Sequence, residues 1–333
     1  MDSLIDRVMG HVGRRMASAR MPALSVALLS EARQAAASRV AARHRPEALA
    51  LAARMDTGQP GAAEAYGALA QGALEEMRRE VLERARALGA AEHVTASLHA
   101  RFGDTDEMEY LDDVDLDREM RVRLLATLDS FNTVVGNYRA FFRAMEPLLA
   151  PGRPTRVLDL ASGHGGFALE ATRIARERGV PIEVTATDLK SEYLALGEEV
   201  ARREGLPVRF AVQDALDLSN VPEAEHDVVI CTQSLHHFPP SMTARIFREA
   251  TRVAGRGVVL IDGCRSVMQG LLAPMLGVFR YRDREFAHDA WVSCRRFYAP
   301  EELGLLATLA VPLESVEAKW MRPAHCLVRW RRA

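Results

Sequence analysis

Glycines and carboxylates follow two apolar segments of this 333-residue chain, where they could bind a cofactor. In the segment 157–168, VLDLASGHGGFA, the apolar part ends at Asp159 and a predicted helix follows. Gly163 and Gly165 lie in the turn between them, where a ligand can approach the backbone and the first helical amides. Asp188 ends the next apolar segment, one strand–helix–strand unit further on, and its carboxylate can accept both hydroxyls of a ribose. These residues predict a site for a nucleotide-type cofactor.

The glycine spacing discriminates between two cofactor classes. A dinucleotide fingerprint reads G-x-G-x-x-G, with a pyrophosphate at the helix N-terminus. Here the spacing is Ala161-x-Gly163-x-Gly165, preceded by Asp159. The chain therefore resembles the class I S-adenosylmethionine-dependent methyltransferases, whose first motif reads D-x-G-x-G-x-G. Ala161 replaces the first glycine, and alanine at that position still leaves the backbone accessible.

Further motifs follow in the order of this family. The segment VRFAVQDALDL (208–218) places Asp214 where the family's acidic residue meets the adenine amino group, and Tyr138 and Arg139 precede the first strand, where they could close over the methionine end. The resemblance implies that S-adenosylmethionine is the cofactor. It assigns the following residues to its binding site: Asp159, Ala161, Gly163, Gly165, Asp188, Leu189, Asp214, Ala215, Gln233 and Tyr138.

Two histidines follow the fourth predicted strand, in HDVVICTQSLHHF (226–238), where the family faces its substrate. Histidine is suited to remove a proton from an acceptor, because its ordinary pKa of about 6.5 lies near working pH. His236 is the predicted base, and His237 is expected to pack against or cap the following helix. Asp262 ends the fifth strand, where it either orients the imidazole or caps the turn before Gly263. The arrangement resembles the His/Asp pair of bacterial natural-product O-methyltransferases, including sugar-modifying ones.

A second resemblance concerns the acceptor. The segments DGCRS (262–266) and SCRRFYAPEEL (293–303) are similar to methyltransferases encoded beside type III polyketide synthases and, more distantly, to those of quinone biosynthesis. Both imply an aromatic or lipophilic small-molecule acceptor. The apolar segment 266–281, SVMQGLLAPMLGVFRY, is expected to be an insertion that covers the site, although ordinary core packing explains half of its apolar residues equally well.

Charge and cysteine usage exclude several classes of protein. A net charge of −2 and a pI near 6.6 disfavour a nucleic-acid binder, which should be basic. The four cysteines form no C-x-x-C pair, so free buried thiols, a cytoplasmic location and no metal site are expected. No segment is long enough to span a membrane, and the apolar run 21–29 starts late and contains a proline, unlike a signal peptide. We therefore predict no stable membrane insertion.

The acidic segment 104–117, DTDEMEYLDDVDLD, lacks the alternating carboxylates, the glycine and the late Glu of a calcium loop. It is expected to be a solvated linker or a helix entry. His164, within the glycine-rich turn, is expected to face solvent without a role.

The periodicity of the chain predicts two domains. Residues 1 to about 100 carry apolar residues at helical spacing, and alternating strands and helices follow, which indicates a parallel sheet with helices on both faces. We predict a helical domain with the acidic linker at 1–117 and a methyltransferase domain at 118–333. The resemblance implies an α/β, Rossmann-like, seven-stranded sheet that two antiparallel strands complete, near 313–320 and 325–330. It also implies a homodimer, since a helical N-terminal domain often mediates dimerisation in small-molecule methyltransferases.

The function predicted from these residues is methyl transfer from S-adenosylmethionine to a hydroxyl of a small aromatic, polyketide-like or glycosylated metabolite. Two alternatives stay open. One is C-methylation of a phenolic or quinol ring, and the other is a non-methylating descendant that keeps the cofactor site. A dinucleotide oxidoreductase is disfavoured by the glycine spacing.

Overall fold

The computed structural model describes residues 29–103, 105–113, 115–311, 315–322 and 324–332. The predicted exclusion of a signal peptide at 21–29 therefore falls almost entirely outside the described residues. The helices are α1 (Ser30–Asp56), α2 (Ala62–Leu88), α3 (Ala90–Phe102), α4 (Arg118–Val135), α5 (Asn137–Met145), α6 (Gly166–Arg178), α7 (Ser191–Glu204), α8 (Pro240–Val253), α9 (Val267–Leu276), α10 (Arg284–Arg296) and α11 (Pro300–Thr308). The strands are β1 (Thr155–Asp159), β2 (Ile182–Asp188), β3 (Val208–Val212), β4 (His226–Thr232), β5 (Ala254–Gly263), β6 (Val316–Met321) and β7 (His325–Arg331).

The seven strands form one sheet in the order β3-β2-β1-β4-β5-β7-β6. The first five strands pair in parallel, and β7 lies antiparallel between β5 and β6. The predicted α/β fold with seven strands is confirmed, as are its two antiparallel closing strands. The strand order changes direction between β1 and β4. In open α/β sheets, ligands bind at this switch point, next to the carboxyl ends of the strands.

The central strands are apolar because both faces of the sheet are covered. Val157 and Val228 face one core cluster with α5 and α6, and Leu158 and Val229 face the other cluster, which includes α8 and α11. Adjacent side chains of a strand point to opposite faces, so this alternation follows from the backbone. The layers thereby hold the carboxyl ends of β1, β2, β4 and β5 in fixed positions.

The N-terminal helices α1 and α2 pack on helices α8 and α11 of the α/β part rather than forming a separate layer. Helix α2 crosses α8 so closely that a Cβ on Gly67 would lie 3.1 Å from the Cβ of Ser241. Leu74 and Met77 of α2 belong to the same buried cluster as Leu306 of α11. The resemblance implies that these helices mediate dimerisation. In the structure, their apolar stripe is buried against α8 and α11 of the same chain.

Truncation of Leu74 tests this packing. Leu74 is fully buried, so Leu74→Ala should lower the free energy of unfolding by about 2–5 kcal/mol, through lost burial and a residual cavity. Leu88→Ala is the matched control, because Leu88 is 51% exposed at the end of the same helix and should change stability by less than about 0.5 kcal/mol. Urea denaturation measures both. Equal effects would show that α2 does not pack as described.

Two further predictions concern the thiols and the membrane. All four cysteines are free and buried, as predicted. Among the described helices, none combines the length and the apolar character that a membrane span requires.

Candidate active site

The turn after β1 is shaped for close approach of a ligand. Ala161, Gly163 and Gly165 all have positive φ, at 48°, 60° and 76°. A Cβ added to Gly163 would meet no described atom within 4 Å, so the space above this residue is open. The Gly163 amide donates to Asp188 Oδ2 at 2.8 Å, which ties the turn to the end of β2.

Asp159 is the most unusual carboxylate of this region. It is fully buried at the end of β1, and neither of its oxygens has a hydrogen-bond partner among the described residues. Burial and the charge of Asp188 raise its pKa well above the ordinary value. A buried carboxylate without partners is costly, so this position favours a cationic or hydrogen-bond-donating group of a ligand.

The other predicted cofactor residues surround the same turn. Asp188 also accepts from the Lys190 amide at 2.9 Å, which leaves each carboxylate oxygen with a further lone pair. The adjacent Leu189 is exposed, so a flat ligand could contact its side chain. Asp214 accepts from the Leu216 amide at 2.8 Å in the turn after β3, and Ala215 is buried beside it.

Tyr138 lies over the glycine-rich turn. It is buried, and its hydroxyl stands so close to the turn that a Cβ on Gly166 would lie 2.6 Å from it. The hydroxyl donates to Asp129, whose other oxygen contacts His164 Nε2 at 2.8 Å. The prediction that His164 is a solvent-facing residue is wrong, because its side chain is only 12% exposed and binds Asp129. Arg139 points elsewhere and pairs with Glu177 on the surface.

The predicted pair of His236 and Asp262 is formed. His236 lies in a short 3-10 turn after β4, and Asp262 stands near the end of the neighbouring strand β5. Nδ1 of His236 lies 2.9 Å from Asp262 Oδ1, and the His236 amide donates to Asp262 Oδ2 at 2.7 Å. A carboxylate only accepts, so Nδ1 carries the proton and Nε2 faces away from Asp262. Asp262 also accepts from the Gly263 amide, so it caps the turn as well as orienting the imidazole.

A third charged residue, Glu109, was not predicted as part of the site. It is 5% exposed, its Oε1 lies 3.5 Å from His236 Nε2, and Ser293 Oγ donates to it at 2.8 Å. The expectation that 104–117 is a solvated linker is therefore wrong for Glu109. The expectation of a helix entry is correct for Asp117, which caps the N-terminus of α4.

The carboxylates on both sides of His236 control its protonation. Burial lowers its pKa, but the charges and hydrogen bonds of Asp262 and Glu109 outweigh burial and raise the pKa to about 10. Burial raises the pKa of Glu109, and the two histidines lower it below the ordinary value. The two carboxylates thus favour the imidazolium form of His236 at neutral pH.

His237 contributes to the same site rather than capping a helix. Its Nδ1 lies 2.9 Å from Asp112 Oδ1, and Arg296 holds the other oxygen of Asp112 at 2.7 Å. Helix α8 begins without a side-chain cap. The prediction that His237 caps that helix is therefore wrong. The imidazole rings of His236 and His237 lie 4.2 Å apart.

An apolar cavity of about 220 Å³ opens beside these residues. We call one part of its polar lining the polar edge, which consists of Gln233, His236, His237 and Glu109. The apolar walls come from α4, α9 and α10, for example Leu128, Leu272 and Phe286.

The apolar segment 266–281 contributes to the cavity and to the surface. Met268, Leu272 and Leu276 line the cavity, and Met268, Leu271, Met275 and Phe279 are exposed.

The comparisons with known proteins concern the sheet that carries this site. Residues 157–257 match the family described as "Methyltransferase domain". The comparison thus identifies this segment, which runs from β1 to the start of β5, as a methyltransferase domain.

The similar proteins match only part of this chain. The demethylmenaquinone methyltransferase of Deinococcus radiodurans is 32% identical over 123 residues, which are 36% of this chain and 49% of that protein. The protein of the same name from Porphyromonas gingivalis is 32% identical over 124 residues, or 32% of this chain and 48% of that protein. The chain thus spans about half the length of the curated relatives it matches. A solved structure, a SAM dependent methyltransferase from Aquifex aeolicus, has 16% identity and a TM-score of 0.40, and covers 57% of this chain and 88% of that chain.

Proposed function

We propose that the protein transfers the methyl group of S-adenosylmethionine to a hydroxyl of a small aromatic or polyketide-like acceptor bound in the apolar cavity. The observation that carries this proposal is the pair of His236 and Asp262, because the imidazole of this pair lines the cavity. S-adenosylmethionine supplies an activated methyl group, so the protein has to align the acceptor and deal with its proton.

The residues around the turn fit the cofactor. Asp188 would accept both ribose hydroxyls, and Asp214 with Ala215 and Leu189 would contact the adenine. Asp159 is buried and has no hydrogen-bond partner among the described residues, and the ammonium of the methionine part would supply the cation and the donors that this carboxylate lacks. The path from the methionine part of the cofactor to the cavity would be lined by Ala161, Gly163, Gly165, Tyr138 and Gln233.

His236 would handle the acceptor proton, and Asp262 would hold the imidazole in one orientation. Because the two carboxylates favour the imidazolium form of His236, its Nε2 proton would first have to pass to Glu109, or the acceptor would have to enter as an anion. Phenols and enols satisfy the second condition more easily than alcohols do. An aromatic hydroxyl therefore suits both the charge of the site and its apolar walls.

C-methylation of a phenolic ring is the second candidate. The two curated relatives are named for demethylmenaquinone, and their likeness to residues of this domain favours a ring acceptor. In that reaction His236 would accept the phenolic or the ring proton. A descendant without transfer activity is the third possibility, and it would bind the cofactor but release no S-adenosylhomocysteine.

Release of S-adenosylhomocysteine tests the proposal. The protein is incubated with S-adenosylmethionine and pairs of small aromatic acceptors, each phenol with its own methyl ether. We expect product with free phenols and none with the ethers, whose oxygen is blocked. Product with both members of a pair would favour ring methylation, and no product with any acceptor would contradict the proposed transfer.

Removal of the Asp188 carboxylate should weaken cofactor binding. Hydrogen bonds to a charged group contribute roughly 1.5–3 kcal/mol each, so loss of both ribose hydrogen bonds in Asp188→Ala should lower the affinity for S-adenosylhomocysteine roughly 10²- to 10⁴-fold. Glu183→Ala is the control, because Glu183 is an exposed carboxylate at the other end of β2. Calorimetry with S-adenosylhomocysteine and NAD measures both variants. We expect NAD to bind poorly to all of them, and an unchanged affinity in Asp188→Ala would remove Asp188 from the ribose site.

We also propose that the protein forms a homodimer through surfaces other than the buried stripe of α1 and α2. Light scattering of the full chain gives its mass directly. A monomer at all accessible concentrations would contradict this part of the proposal.

A further inference from the structure

Three potential ligands converge at the polar edge of the cavity. One ligand atom each from Glu109, His236 and His237 lies within 4.8 Å of the other two. Two imidazoles and one carboxylate are a ligand set that binds Zn²⁺ and related transition metals in proteins. The sequence alone predicts no metal site, because these residues follow no ligand spacing and Glu109 comes from a distant segment.

Each of the three side chains is held from behind by a hydrogen-bonding partner. Nδ1 of His236 contacts Asp262, and Nδ1 of His237 contacts Asp112, both at 2.9 Å. Each Nδ1 must donate to its carboxylate, so each histidine has Nε2 left as its ligand atom. Metal-binding histidines have this arrangement, in which a carboxylate orients the ring and makes the ligating nitrogen more basic.

The carboxylate is oriented in the same way. Ser293 Oγ donates to Glu109 Oε1 at 2.8 Å, so the position of this carboxylate does not depend on the histidines. The separation of 3.5 Å between Glu109 Oε1 and His236 Nε2 exceeds that of a good charge-assisted hydrogen bond. It is close to the ~3.4 Å that separates two ligand atoms at ~2.1 Å from a tetrahedral metal ion.

We propose that Glu109, His236 and His237 bind a divalent transition metal ion, with Zn²⁺ as the expected species. Three protein ligands leave one position open, as in catalytic rather than structural zinc sites. The open position faces the cavity, because all three residues line it. An acceptor hydroxyl bound there would become more acidic. This role of the ion rests on the proposed methyl transfer and would replace His236 as the group that deals with the acceptor proton, because Nε2 would then bind the metal. The binding of the ion does not depend on the proposed function.

Metal titration of the full chain tests the site. The protein is stripped with EDTA, and Co²⁺ is added as a spectroscopic probe while calorimetry follows Zn²⁺. We expect one ion per chain and the visible absorption of four- or five-coordinate Co²⁺. Glu109→Gln and His237→Ala should each lower the affinity at least about 100-fold. Asp112→Asn should lower it about 10- to 100-fold, as loss of an orienting partner does.

His44→Ala is the matched control, because His44 pairs with Glu76 at 2.7 Å but lies in no cluster of three potential ligands among the described residues. It should leave the affinity unchanged. Calorimetry with S-adenosylhomocysteine on the same samples shows that each variant is folded. Absence of saturable 1:1 binding to the wild type would overturn the proposal, as would equal affinity in wild type, Glu109→Gln and His237→Ala. If the wild type transfers methyl groups but binds no metal ion, the metal site is refuted and the proposed methyl transfer is not.

Discussion

His236→Ala should slow methyl transfer by about 10²–10⁴-fold, the range expected for loss of a positioned acid–base group. The imidazole lies at the polar edge of the cavity and contacts carboxylates on both of its nitrogens. The affinity for S-adenosylhomocysteine should stay nearly unchanged. The cofactor turn follows β1 and is held by Asp188 at the end of β2, so its position does not depend on the imidazole of His236. Single-turnover rates with a saturating acceptor measure the effect.

Two controls accompany this measurement. His44→Ala changes a histidine that pairs with Glu76 far from the cavity and should keep full activity. EDTA treatment of the wild type distinguishes a histidine that takes the proton from one that holds a metal ion. An active His236→Ala enzyme would contradict both roles and would favour catalysis by proximity to an acceptor that is already ionised.

Asp262→Asn should cause a loss of similar size. Asp262 is fully buried and accepts from the amides of His236 and Gly263 as well as from the imidazole. An asparagine has one oxygen acceptor, so its NH₂ group would face a donor, and it would neither stabilise the imidazolium nor secure its tautomer. We expect kcat to fall with little change in cofactor affinity.

The double variant shows whether the two residues act as one unit. If Asp262 acts only through His236, the combined loss in His236→Ala/Asp262→Asn should be much smaller than the product of the single losses. Fully multiplicative losses would mean that the two residues act independently. A large drop in cofactor affinity in Asp262→Asn would instead indicate a disturbed fold at the end of β5.

The sequence was sufficient to predict those parts of the site that depend on strand order. Asp159 and Asp188 end their strands, Asp262 stands one residue before the end of β5, and parallel strands bring their carboxyl ends to one edge of the sheet. His236 could be predicted for the same reason, since it follows β4. The alternation of strands and helices followed from hydrophobic periodicity, which is set locally along the chain.

The remaining residues could not be predicted because their positions depend on contacts between distant segments. Glu109 and Asp112 belong to an acidic segment whose composition is typical of a solvated connection, and only its packing against α10 directs them to the histidines. The contact between His164 and Asp129 likewise joins a turn to a distant helix. The sequence offers two signals, the adjacent histidines after β4 and the acidic segment 104–117. Neither has a spacing that predicts the contact between them.

A crystal structure with bound S-adenosylhomocysteine tests the central claim most directly, since the account requires the cofactor's methyl end and the acceptor cavity to meet beside His236. We predict that the ribose hydroxyls bind Asp188, that the amino group of the methionine part reaches Asp159, and that the sulfur points into the cavity. A ligand bound elsewhere, or one whose sulfur points away from His236, would contradict the account.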